Sequence, residues 1–553
     1  MRMPMKYVAM FLMGLAAAGA RSPVDAKVVI PQIFANNMVL QEHKAIPVWG
    51  WTSHAGTNVM MVFAGKTRTA KANRYGRWMV KFPPMVAGGP WTMSIHPEKE
   101  ASIDFKNVLV GEVWLCAGGG IMQSSLWRGV EKGTQPTGLG HLADHPDIRL
   151  ARVFAQNRAL PVGYRTVLWK VCRAKIFTSH YAGGYWRSFS AIAYHFAVDL
   201  HARLHVPIGI IEDVNATGCY APLSFWVPLK GLASVPACAW RFARLRQQQR
   251  QLRWRASRDI DEFLQNRRVF ARAFAAGRRL PVILPDLTPR LNDLDYQWSS
   301  IYNAQICPIQ PFAIRGVIWS EPNYTSARGK HIGGGLMNVT HALINGWRAA
   351  WGQGNLPFCV LQASPFEMMG QGLRVAVAAN AQVAMHRQML HGHTGMVVIN
   401  DLPVAAKTKV PNRQTIARRF ALWAQAKVYY RHGVVYSGPL FKSMRITAGA
   451  IRVQFSHLDG GLCSRGSNAQ AVTGFEVAGA RGKFVRAHAI IDHNAVLVTS
   501  AMVAHPTQVR YGWNLRVPPG SLVNRAGLPA SVFNTRQLSA LKESASAKGR
   551  SGR

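Results

Sequence analysis

The residues of this chain that could do chemistry cluster just behind apolar runs. Val113-Trp114-Leu115-Cys116 leads into Ala117-Gly118-Gly119-Gly120-Ile121-Met122, with Ser124 and Ser125 close behind. Pro207 to Ile211 leads into Glu212 and Asp213, then Asn215, Ala216 and Gly218. Gly316 to Trp319 precedes Glu321, Pro322, Asn323 and Thr325, and Met396 to Val398 precedes Asp401, Lys407 and Lys409. Hydroxyls, carboxylates and amides are the parts of acyl transfer, which needs a nucleophile, a base, a group that orients the base and donors for the developing oxyanion. The bases on offer are poor ones. A protonated lysine accepts no proton at neutral pH unless its pKa falls by several units, and the imidazoles to test against Ser124 or Ser125 are His331 and His341. The triglycine follows a strand and precedes a helical stretch as a phosphate-cradling turn would, but the signal is weak, with neither the dinucleotide glycine spacing nor a Gly-Lys-Ser/Thr continuation.

The cysteines at 116, 172, 219, 238, 307, 359 and 463 contain no CxxC pair and no Cys/His group at zinc spacing, so no metal is expected. Their odd number and wide spacing predict buried free thiols for most of them.

Three kinds of patterning position these residues. From Val28 to about Phe105, short apolar runs (Met38–Gln41, Pro47–Trp51, Val59–Phe63, Trp78–Phe82, Trp91–Ile95) alternate with turn residues, as in a small antiparallel sandwich. The middle alternates buried-type strands (Val108–Cys116, Pro207–Ile211, Gly316–Trp319, Pro357–Leu361, Met396–Val398) with amphipathic helices over Ser190–Leu204 and Thr415–Val428, which predicts a largely parallel sheet. From Tyr436 the strand pattern returns at Ile451–Phe455, Gly474–Val477, Ala495–Val498 and Gln508–Trp513, a second sandwich. The expected domains are 27–106, 107–435 and 436–536, with a disordered tail over 537–553.

Residues 1–26 have the basic start, short apolar run and small-residue sites of a cleavable export signal, with the cut after Ala20 or Ala26. No later run is apolar enough to span a membrane, and a periplasmic or extracellular location is expected. The formal net charge is +41, from 66 Lys and Arg against 25 Asp and Glu. Such an excess invites nucleic acid as partner, but export argues against it. Much of the charge lies on a basic helical insertion over 240–280, read as a solvated face or an acidic-polysaccharide site. An acidic working medium also suits few carboxylates and many bases.

Asn37-Met38-Val39-Leu40-Gln41, Ile46-Pro47-Val48-Trp49-Gly50-Trp51 and Gly111-Glu112-Val113-Trp114-Leu115-Cys116 resemble the openings of bacterial sialate O-acetylesterases. Phe189-Ser190-Ala191, Pro311-Phe312-Ala313-Ile314-Arg315-Gly316, Trp351-Gly352-Gln353-Gly354, Gly474-Phe475-Glu476-Val477 and Gly527-Leu528-Pro529-Ala530 continue the match in order. The resemblance implies an α/β flavodoxin-like SGNH-hydrolase domain flanked by β-sandwich domains. It also implies deacetylation of sialic acids or other acetylated glycans without metal or cofactor.

The family's chemical positions are altered here. Its strand runs into Ser-Gly-Gln-Ser-Asn-Met, whose second serine attacks, and Gly120 stands at that position. Its Asp-x-His block aligns with Lys407 and Lys409. Its oxyanion donors, a glycine N–H and an asparagine amide, fall at Ala216 and Thr325. Asp213, Asn215, Glu321 and Asn323 remain as candidates to line the cleft. Three readings follow: an esterase-related protein with activity lost or strongly impaired and glycan binding kept, an active esterase rearranged around Ser124 or Ser125, and a basic polyanion-binding surface protein.

Overall fold

Runs of Val, Ile, Leu and Trp without polar alternation are what a strand covered on both faces requires, and the middle of the chain is built from them. The computed structural model describes residues 28–52, 55–98, 101–126, 144–155, 157–158, 161, 165–178, 186–214, 223–235, 247, 298–320, 336–362, 393–402, 412–465, 470–513, 520–536 and 538. The expected export signal, most of the basic insertion and most of the tail lie outside them.

The central sheet comprises β1 (Ile103–Gly118), β2 (His145–Val153), β3 (Val167–Cys172), β4 (Ile208–Val214), β5 (Gly316–Ser320), β6 (Phe358–Leu361) and β7 (Thr394–Val397). Their order is β3-β2-β4-β1-β5-β6-β7. All neighbours are parallel except β3, which pairs antiparallel with β2 at one edge.

Helices cover both faces. On one, Trp114, Cys116, Ile210, Ile318, Cys359 and Val397 pack with α1 (Ala191–Leu204) and α3 (Arg413–Lys427). On the other, Leu115, Ala117, Ile211, Trp319 and Val360 share a core with Val339, Leu343 and Trp347 of α2 (Leu336–Trp351). Helix α1 starts where Ser190 accepts a hydrogen bond from the Ala193 N–H at 3.2 Å, and it stops at His205, whose φ is +56°. Its buried Ile192, Phe196 and Leu200 each contribute roughly 1.5–3 kcal/mol by leaving water. Asn412 caps α3 in the same way, accepting from the Thr415 N–H at 3.0 Å.

Strand β1 is 16 residues long and belongs to two environments. Its first half pairs antiparallel with Gly88–Pro97, which leads on to Asn58–Phe63 and Lys66–Lys71. Its second half lies between β4 and β5. A separate sheet of Val28–Val29, Ile46–Thr52 and Arg77–Phe82 shares the N-terminal core, with the Phe63 and Phe82 ring centroids 5.8 Å apart. The C-terminal region is also β-structured. Sheets built on Leu440–Thr447 and Ala450–Ser456, and on Phe475–Ala478 and Gln508–Tyr511, close over Ile451, Val453, Phe475, Tyr511 and Phe533.

The five described cysteines, 116, 172, 307, 359 and 463, are free thiols, with 116, 172 and 359 buried. No helix among the described residues is long and apolar enough to cross a membrane.

Candidate functional site

Strands β4, β1 and β5 finish together. Gly118 stands in register with Val214 on one side and Ser320 on the other. The chain that leaves β1 thus emerges between two parallel neighbours at their carboxyl ends, the place where open α/β sheets form a ligand crevice. Only glycine fits at 118: its φ is +115°, and a Cβ there would lie 2.0 Å from the Ser320 carbonyl oxygen. The Gly119 N–H donates to that same carbonyl at 3.0 Å. Gly120, at φ +56°, then opens a tight turn over Gly120–Gln123. The residue expected at the family's nucleophile position is therefore at the carboxyl end of β1, and it has no side chain to attack with.

The backbone around the neighbouring serines is knitted into the start of α1. The Ser124 carbonyl accepts from the Ala191 N–H at 2.9 Å, the Leu126 N–H donates to the Phe189 carbonyl at 2.9 Å, and Ser125 forms a bridge with Ser190. Ile121, Met122 and Leu126 anchor this segment on the α1/α3 face of the sheet. His341 sits exposed on α2, whose buried residues pack on the opposite face.

Two adjacent carboxyls end β4. Glu212 is fully buried; it accepts from the Ser190 N–H at 2.6 Å and lies 2.9 Å from Arg152 Nε. Burial raises its pKa, opposed by Arg152 and the Ser190 N–H. Asp213, in register with Ala117, points to the other face. It too is fully buried, and neither carboxylate oxygen has a hydrogen-bond partner among the described residues. Burial pushes its pKa well above the usual carboxylate range; Arg165 opposes the shift and Glu212 adds to it. A carboxyl held neutral donates a hydrogen bond but serves poorly as a base. The Glu-Asp pair closing an apolar strand was visible in the sequence. Arg152 and Arg165, which oppose those charges, were not, because nothing local marks them.

Asp401 follows β7 and is fully engaged. Arg419 donates to its two oxygens at 2.7 and 2.6 Å, and Arg465 of the C-terminal region donates to Oδ2 at 2.5 Å and to its carbonyl at 2.8 Å. Burial alone would raise its pKa, but the two guanidiniums hold it below the usual range. It is a structural carboxylate and not one free to orient a base.

Gly120 and Asp213 are thus brought to one edge of the sheet on adjacent strands. Asn215, Ala216, Glu321, Asn323, Thr325, His331, Lys407 and Lys409 lie outside the described residues. In the sequence, Asn215 directly follows β4 and Glu321 directly follows β5. Among the described residues no group of three or more His, Cys, Asp or Glu could hold a metal ion.

The crystal structure of a carbohydrate acetylesterase from Xanthomonas citri superposes with a TM-score of 0.70 and 26% identity, covering 92% of this chain and 99% of that one. The chain thus shares the fold of that carbohydrate acetylesterase. The sialate O-acetylesterase of Rattus norvegicus is 23% identical over 442 residues, covering 75% of this chain and 76% of that protein. The human sialate O-acetylesterase is 23% identical over 457 residues, covering 75% and 73%. The chain is a sialate O-acetylesterase-like protein. No family model matches it.

Proposed function

We propose that this is an exported sialate O-acetylesterase-like protein that has lost acetyl-ester hydrolysis and keeps the crevice at the carboxyl edge of its parallel sheet for an acetylated glycan. The observation that carries the reading is Gly120. It stands at the end of β1, between β4 and β5, where the resemblance puts the attacking serine. Within the sheet, β4-β1-β5-β6-β7 run in the 2-1-3-4-5 order of flavodoxin-like folds, which supports an SGNH-type α/β domain. The paired β layers on either side support flanking sandwiches at 27–106 and 436–536.

Loss of hydrolysis follows from loss of the parts together. With glycine at 120, lysines at 407 and 409, and Thr325 at the asparagine position, the nucleophile, its base and the side-chain oxyanion donor are all replaced, while Ala216 keeps a backbone N–H. Glycan binding does not need those groups. Asn215, Glu321 and Asn323 carry donors and acceptors of the kind sugars take, whereas Asp213, on β4, is fully buried. The runner-up, an esterase using Ser124 or Ser125, gains nothing from the geometry, since the segment carrying both is bonded to the start of α1.

The test is binding without turnover. Saturation-transfer NMR with an O-acetylated sialoside should show ligand signals that stay acetylated throughout the experiment. Absence of any transfer at millimolar ligand would remove the glycan half of the proposal.

A further inference from the structure

The face of one C-terminal sheet turned away from the core carries a row of polar side chains in register, with Arg486 exposed and Glu476 and Asn534 buried. Arg486, Glu476, Arg510 and Asn534 are successive cross-strand partners, while Phe475, Val477, Val509, Tyr511 and Phe533 alternate with them and fill the core behind. Glu476 accepts from Arg510 through both oxygens, at 2.8 and 3.0 Å, which fixes the guanidinium plane. That guanidinium lies 4.3 Å from the ring centroid of Phe484 and 5.7 Å from that of Trp513. Arg536 adds a second cation 4.8 Å from the Phe484 centroid and donates to the carbonyls of Gly479 and Gly482. The two half-exposed rings are therefore held in place by cations that are themselves held in place.

The charge on this face is unbalanced. Arg486, Arg510 and Arg536 meet a single carboxylate, Glu476, and exposed Arg481 and Lys483 extend the excess along the adjoining hairpin. Arg486 is exposed and in register beside Glu476, whose two oxygens are already taken by Arg510. Flat rings offer the apolar faces of sugar rings a surface, and a guanidinium takes a carboxylate through two parallel hydrogen bonds.

We propose that this face binds a carboxylate-bearing polysaccharide, with Trp513 against a sugar ring and Arg486 on a carboxylate. The site is separate from the crevice at the sheet edge and does not depend on it. A chain of net charge +41 attracts any polyanion loosely, so the Trp513 ring is what distinguishes a built site from bulk attraction.

The experiment is affinity electrophoresis of the full chain, under non-denaturing acidic conditions at 0.15 M salt, in gels containing polysialic acid, polygalacturonate or neutral dextran. Retardation is expected in the acidic polymers and absent in dextran. Trp513→Ala keeps every charge and should raise the apparent dissociation constant about tenfold. If that variant melts early, Arg486→Glu, an exposed change, should give a loss at least as large. Equal retardation of wild type and Trp513→Ala, when both are folded, would reduce the face to bulk charge attraction and overturn the proposal. Equal retardation of wild type and Arg486→Glu would overturn it too, as would retardation by dextran matching that by the acidic polymers.

Discussion

Replacing Glu42 by glutamine should flatten the dependence of stability on pH. Glu42 is 6% exposed and lies where the N-terminal strands meet the amino end of β1's parallel half. Its Oε2 accepts from the Ala87 N–H at 3.1 Å and lies 3.4 Å from His43 Nε2. Beside it, Glu112 is taken by Arg315, by the Tyr429 hydroxyl at 3.1 Å and by the Gln41 amide at 3.1 Å, and Lys44 donates to the Ile314 carbonyl at 2.8 Å. Burial, then the hydrogen bond and charge of Glu112, raise the Glu42 pKa from 4.5 to about 7, with Arg315 and the Ala87 N–H opposing. The folded protein thus keeps a proton that the unfolded chain sheds. The stability Glu42 contributes is complete below pH 4.5 and is lost as pH rises through about 7. At 1.36 kcal/mol per pH unit the loss would reach about 3 kcal/mol, and screening by solvent and Arg315 brings it to about 2 kcal/mol. The amide of the Glu42→Gln variant can donate to Glu112 and accept from Ala87 without titrating. Urea unfolding at pH 5, 6, 7 and 8 should therefore show the variant matching wild type at pH 5 and exceeding it by about 2 kcal/mol at pH 8. Burial also raises Glu212 and Asp213, so the informative quantity is the difference between the two proteins. A difference that stays constant across the series would refute the reasoning.

Other substitutions probe the site and its supports. Gly118→Ala forces a Cβ against the Ser320 carbonyl at 2.0 Å and should cost about 3 kcal/mol or more, read as lost soluble yield or a collapsed melting temperature. Asp401→Asn leaves Arg419 and Arg465 without their shared carboxylate and should cost about 3–5 kcal/mol at pH 7. Because Asp401 is held below the usual carboxylate range, that difference should shrink as pH falls from about 4 toward 2, by urea unfolding at each pH. Gly120→Ser alone should restore no acetate release and should carry about 1–2 kcal/mol of strain, since φ there is +56°. Adding Lys407→Asp and Lys409→His should release more acetate than the serine alone, because nucleophile, base and orienting carboxylate act as a unit.

Where one face or both faces of a strand are apolar, the elements were legible from the residues. The strands at Ile46–Thr52, Asn58–Phe63, Ile208–Val214 and Ala495–Thr499, and helices α1 and α3, lie within a few residues of their expected places. Lys66–Lys71 was not legible: it is exposed almost throughout, and its strand form comes from backbone pairing with Asn58–Phe63. His145–Val153 was masked by its interleaved His, Asp and Arg residues, which the sheet accommodates near its edge. At the site, Gly118-Gly119-Gly120 was legible only as glycines behind a strand, and the structure forms a tight turn over Gly120–Gln123 there. The partners of the buried charges were hidden, since Glu112 meets Arg315 across more than two hundred residues and Asp401 meets Arg465 across sixty-four. Such pairs depend on register and docking, which no local pattern encodes.

The most direct test of a dismantled site on a kept frame is acetate release by the purified protein from O-acetylated sialic acid and from an aryl acetate. Release at the uncatalysed rate is the expected result. Turnover proportional to protein concentration and abolished by Ser124→Ala or Ser125→Ala would contradict the account and make the chain an esterase with a relocated nucleophile.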